Sequence, residues 1–206
     1  HWKIYLVTMV VSFIAVVPFI IYAEVKRRMK RVFVLCIALL LIAEIVLWGS
    51  GNYFWELVAG VQIFFLAFNL MEALLPSLIS KEAPAGYKGT AMGIYSTSQF
   101  LGVAIGGSLG GWIDGLFDSQ TVFLAGALLA TAWLLVSMTM QEPPYVSSLR
   151  VQIPDDVNAD DALRERLLAT EGVKEVLVVA QEHSAYIKID SKVTNRFEVE
   201  QAIAAR

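Results

Sequence analysis

Five apolar runs, each long enough to cross the hydrocarbon core of a bilayer, occupy most of the first 140 residues of this chain. They are Ile4–Tyr22, Val32–Trp48, Trp55–Ile79, Thr90–Ile113 and Val122–Met140. Crossing takes roughly 20 helical residues. A large soluble protein can bury one such helix, but five in succession with short connections read as membrane spans. The charges support this. Residues 1–144 hold 8 basic and 8 acidic side chains, whereas the much shorter stretch 145–206 holds 8 basic and 11 acidic. The first region is too poor in charge for a water-facing surface and the second has the density of a soluble domain, so two environments are written into one chain. The net charge of −3 lies in the tail and argues against a nucleic-acid partner, which calls for a basic face.

Orientation follows from lysine and arginine. The connection after the first run holds Lys26, Arg27, Arg28, Lys30 and Arg31, and the connection after the third holds Lys81 and Lys88. The other two connections, Gly49–Asn52 and Asp114–Gln120, hold neither residue type. The positive-inside rule puts the basic connections, and with them the tail, in the cytoplasm. Trp2, Tyr5, Trp48, Tyr53, Trp55 and Trp112 then fall at the outer ends, where an aromatic belt belongs. Residue 1 is histidine and no signal peptide precedes the first run, so the expectation is a fragment whose N-terminal part is missing.

After Gln141-Glu142-Pro143-Pro144, a linker expected to reach residue 147, the period changes. Leu149, Val151 and Ile153 alternate with polar residues as in a strand. Asn158 with Asp161 predicts a capping box opening a helix through Leu163, Leu167 and Leu168, closed by Gly172. Val173–Ala180 and Ala185–Asp190 read as two strands, and Asn195 with Glu198 opens a second helix. The expected fold class is therefore a membrane all-α bundle over residues 1–142, followed by a small α+β domain over 148–206. Its order, β-α-β-β-α, suits a ferredoxin-like sandwich without its last strand.

Chemistry is sought first among ionisable groups inside spans, because they are costly there and usually face a bundle interior or a wet cavity. Glu72 lies deep in the third span. Gln62 and Asn69 share its helical face, since spacings of seven and three residues nearly restore the angle. Such a stripe suits a cavity wall that binds polar substrate or carries a proton; it equally suits interhelical hydrogen bonds. Ser96 and Gln99 add polarity to the fourth span. Glu44, in the second, has no polar companion on its face. Gly102, Gly106 and Gly110 recur every four residues and predict a close helix-packing seam, static or sliding. The turn containing Glu24, Lys26, Arg27, Arg28 and Lys30 reads either as a topology signal alone or as a charged latch to neighbouring helix ends. The single cysteine, Cys36, can build neither an internal disulfide nor a thiolate metal site, and no metal or cofactor is expected.

This short acidic-then-basic turn, following a span that contains Pro18, resembles the second, degenerate copy of motif A in the major facilitator superfamily. There the turn joins helices eight and nine. Glu24 stands for the usual aspartate, and Arg27 or Arg28 stands where glycine is common. The glycine-rich Gly89–Gly111 stretch is similar to helix eleven. The segments NLMEALLPSLISKEAPAGYKGTAMGIYSTSQFLGVAIGGSLGGW and EHSAYIKIDSKVTNRFEVEQAI are similar to a bacterial branch that appends a cytoplasmic ferredoxin-like domain after helix twelve. The resemblance implies that the five spans are helices eight to twelve of a multi-pass inner-membrane transporter. It implies a proton-driven exporter of the drug-antiporter type, with protons, a small-molecule substrate, the bilayer and the absent N-terminal half as partners. Helices eight, ten and eleven line the central cavity in that family, which favours Glu72 and Asn69 over Glu44. The tail also resembles heavy-metal-associated domains through its Gly-Val-x-x-Val turn, Gly172 to Val176, but lacks their Cys-x-x-Cys. The alternative function is a membrane-anchored ligand-binding or sensor module. An enzyme, such as a metal-pumping ATPase, is not expected, because no phosphorylation loop or phosphate-binding glycine motif occurs. His183, alone in a turn, reads as a bystander.

Overall fold

The computed structural model describes residues 2–51, 53–154 and 157–204. Five long helices come first: α1 (Trp2–Val25), α2 (Met29–Gly49), α3 (Phe54–Glu82), α4 (Lys88–Leu116) and α5 (Ser119–Met138). Pro18 and Pro76 are accommodated inside α1 and α3. Four of the five are long and apolar enough to cross a membrane: α1, α2, α3 and α5. With 29 residues α4 has the length, but its glycines, serines and threonines dilute its apolar content. The side chains of Trp2 and Tyr5 lie outside the described residues; those of Trp48, Tyr53, Trp55 and Trp112 are exposed, as an aromatic belt in lipid would be.

The remaining elements are β1 (Ser147–Gln152), α6 (Asp161–Ala169), β2 (Val173–Val179), a short 3₁₀ turn Ala180–Glu182, β3 (Ser184–Ile189) and α7 (Arg196–Ala204). The expected β-α-β-β-α order is present. β3 lies between β1 and β2 and is antiparallel to both, in the order β1-β3-β2. Alternation along each strand puts Val151, Val176, Ala185, Ile187 and Ile189 on one face, where they meet Leu163 and Leu167 of α6 and Val199 and Ile203 of α7. At the start of α7 the Glu198 amide donates to Asn195 Oδ1 at 3.1 Å, an N-cap bond, and the Asn195 side-chain amide donates to the Glu198 carboxylate at 3.2 Å. The cap of α6 differs from expectation. Asp160, not Asn158, accepts from the Leu163 amide at 2.9 Å. The acidic run Asp160-Asp161 made the register ambiguous, and the residue three before a free amide is the one that caps.

The chain forms two compact units, 1–78 with 96–143, and 79–95 with 144–206. The turn between α3 and α4 thus belongs with the small domain, which a single cut through the linear sequence does not anticipate.

Candidate functional site

Gln62, Asn69 and Glu72 all lie on α3, and each has a separate environment. Gln62 donates through Nε2 to Ser12 Oγ at 2.5 Å and to the Thr8 carbonyl at 3.3 Å, both on α1. Thr8 and Ser12 are buried and were not singled out beforehand. Their one signal was the four-residue spacing that stacks them on one face. Two turns along, Asn69 is half-buried, and its Nδ2 makes no hydrogen bond among the described residues. Glu72 accepts a short hydrogen bond at Oε1 from Gln99 Nε2 of α4. Ser96, half-buried, lies three residues before Gln99 on the same face of α4. The structure therefore joins Glu72 to Gln99 and Gln62 to α1. Asn69 is left with unspent donor capacity beside the carboxylate. A carboxylate held by an amide on one oxygen can still accept a proton or a donor on the other.

The turn after α1 explains its own sequence. Arg27 adopts φ +53°, the Arg28 amide bonds back to the Ala23 carbonyl at 3.0 Å, and the Arg27 amide to that of Glu24 at 3.4 Å. This is the Schellman ending of a helix, in which glycine is the usual left-handed residue. The position where related turns carry glycine is therefore the one that needs a positive φ. The Glu24 carboxylate accepts from Ser77 Oγ at 2.7 Å, tying this turn to α3 one residue beyond Pro76. Lys26, Arg28 and Lys30 form no ion pair among the described residues. One contact on the latch turn is therefore a neutral donor, the Ser77 hydroxyl, on the Glu24 carboxylate.

The glycine seam is not seen within the bundle. A Cβ at Gly102 or Gly106 would meet nothing within 4 Å, and one at Gly110 only Val122 at 3.7 Å. Close approach occurs elsewhere. At Gly60 a Cβ would stand 2.7 Å from Leu47 of α2, and at Gly126 of α5 it would stand 2.7 Å from the Glu44 carboxylate. Glu44 thus fits over a glycine gap in α5 and takes no part in the α3–α4 pair. His183 sits at φ +45° after the 3₁₀ turn and its carbonyl accepts from Ile153, a local structural role.

Apolar helices long enough to span a bilayer, followed by a small α+β domain, mark a multi-pass membrane protein, and the chain's relatives are named transporters. Residues 149–205 match the family model described as the YajR YAM domain. The chain is 73% identical over 203 residues, 98% of its length, to the inner membrane transport protein YajR of Escherichia coli. It is 39% identical over 106 residues, 52% of the chain and 27% of the relative, to an uncharacterized transporter of Buchnera aphidicola. It is also 26% identical over 110 residues to an uncharacterized MFS-type transporter of Pseudomonas aeruginosa, covering 53% of the chain and 27% of that protein. None of these is named as an enzyme. The chain spans less than half, 45%, of the Escherichia coli protein.

Proposed function

We propose that this chain is the C-terminal half of a proton-coupled secondary transporter of the major facilitator superfamily that exports a small molecule by alternating access. Its tail is read as a cytoplasmic, ferredoxin-like accessory domain with a regulatory or assembly role. The single observation that carries the proposal is the hydrogen bond joining Glu72 of α3 to Gln99 of α4. A carboxylate inside a span is expensive and is retained where it works. Asn69, Gln62, Gln99 and Ser96 supply the polar wall around it, and α4 crosses the bilayer as a fifth span despite its glycines. The open Gly102, Gly106 and Gly110 face suits close approach by a helix of the preceding half. The substrate site then lies near the midplane between the halves. Protonation of Glu72 removes a charge within the span and converts an acceptor into a donor, so the Gln99 amide must turn its carbonyl toward it or let go. That exchange couples proton occupancy to the spacing of α3 and α4.

The test is dissipation of a pH gradient by the full-length protein in proteoliposomes, screened against a panel of lipophilic and polar compounds. Substrate-dependent proton movement should fall at least tenfold in Glu72→Gln, which keeps the shape and removes the titration. Unchanged movement in that variant would move the proton site away from α3. No movement with any compound would favour the membrane-anchored sensor.

A further inference from the structure

The helix-free face of the small sheet is not bare. Alternation along β3 directs Ala185, Ile187 and Ile189 to the domain core and Ser184, Tyr186 and Lys188 to the opposite side. A lysine there should lie in water, yet Lys188 is 6% exposed. Its ammonium donates to the Lys81 carbonyl at 2.9 Å and pairs with Glu175 at 3.4 Å. Lys81 is in the last turn of α3, whose carbonyls have no partner within the helix and favour a cation. Next to it Gly86, at φ +81°, lies so close to the sheet that a Cβ would stand 2.5 Å from Leu177 and 3.6 Å from Tyr186. Ala83 and Ala85, just before it in the chain, are buried, and the Lys81 ammonium lies 5.4 Å over the Tyr145 ring. These contacts all fall within one compact unit. Shape, a glycine at a close approach, and a desolvated cation on a helix terminus together mark a specific seat.

We infer that the helix-free face of this sheet is a receptor for the α3–α4 turn, and that the tail is a clamp: docked in one state of the transporter, released when α3 and α4 rearrange. The clamp's role rests on the transporter reading; the docking does not. Glu72 is ten residues from the α3 end of the turn and Gln99 eleven from the α4 end, so each is about 15 Å along its helix from the seat. A change of about 10° between the helices at that joint shifts the pair by about 2.6 Å, enough to break its hydrogen bond. Holding the joint therefore holds the pair.

Hydrogen–deuterium exchange on the full-length transporter, with Leu177→Arg and Lys188→Met as variants, tests the seat. Amides of residues 83–95 should exchange about tenfold faster in both, while those of α6 keep their protection. Unchanged exchange over 83–95 in both variants would overturn the docking. If α6 also loosens, the domain has failed to fold. The decisive measurement is then oxidative cross-linking of a Gly86→Cys, Leu177→Cys pair in a Cys36→Ser background: efficient closure is expected, and none would overturn the seat. In the cross-linked protein, substrate-driven proton movement should fall at least fivefold and return on reduction. Movement indifferent to the cross-link refutes the clamp. No movement even before cross-linking removes the transporter reading and the clamp's role with it, while exchange still decides the docking.

Discussion

Arg27 holds a left-handed backbone conformation that costs a residue with a Cβ about 1–2 kcal/mol relative to glycine. Arg27→Gly should therefore melt higher than Arg27→Ala, by the equivalent of about 1 kcal/mol, since both lose the charge and only one keeps the Cβ. Thermal unfolding of the two variants in detergent checks it. At Asp118 the hydroxyl of Thr121, with help from its amide, holds the carboxyl below its ordinary range. A lowered folded value contributes stability above the unfolded value near 4, lost as pH falls through the folded one. Asp118→Asn should flatten the decline in melting temperature below about pH 4, and an unaltered acid limb would refute this. At this scale the sequence was informative about charge and silent about conformation. Glu72 stood out because a carboxylate in an apolar run needs a reason, whereas Thr8 and Ser12 did not, because a hydroxyl in a membrane helix can satisfy itself on its own backbone. The positive φ of Arg27 had no signature beyond the family's glycine.

At the scale of elements, caps and close approaches decide. Asp160→Ala removes the bond to the Leu163 amide and should destabilise the small domain by about 1 kcal/mol, whereas Asn158→Ala should leave it unchanged. Denaturant unfolding followed by a probe in the domain separates the two. Gly60→Ala forces a methyl toward Leu47 and should cost about 1–3 kcal/mol, read as a lowered melting temperature. The start of α7 was readable because capping chemistry is local, and the strands because period two is local, whereas at α6 the neighbouring carboxylates hid which residue caps. The glycine contacts were not. A regular Gly-x-x-x-Gly spacing announces that a helix can be approached, and says nothing about which neighbour approaches. Here the spaced glycines of α4 stay open while the isolated Gly60 and Gly126 make the contacts.

For the whole molecule, the division between apolar and charged halves was plain from charge density, and the two-unit build agrees with it except at one place. Residues 79–95 pack with the tail although residues 96–143 separate them in sequence, and no composition signal could reveal such a pairing. Removing residues 144–206 should leave four apolar helices able to stay in the membrane but bare the turn. Trypsin should then cut at Lys81 or Lys88 roughly tenfold faster than in the intact protein, followed by gel and mass analysis. The same pairing has a consequence for biogenesis. The carbonyl that Lys188 covers belongs to a residue made 107 positions earlier. At about 5–20 residues per second on the ribosome, the turn waits about 5–20 s for its cover. Throughout that interval α3 and α4 exist without the cover on their turn, so the long helices settle first and the small domain, made later, fastens the arrangement it finds.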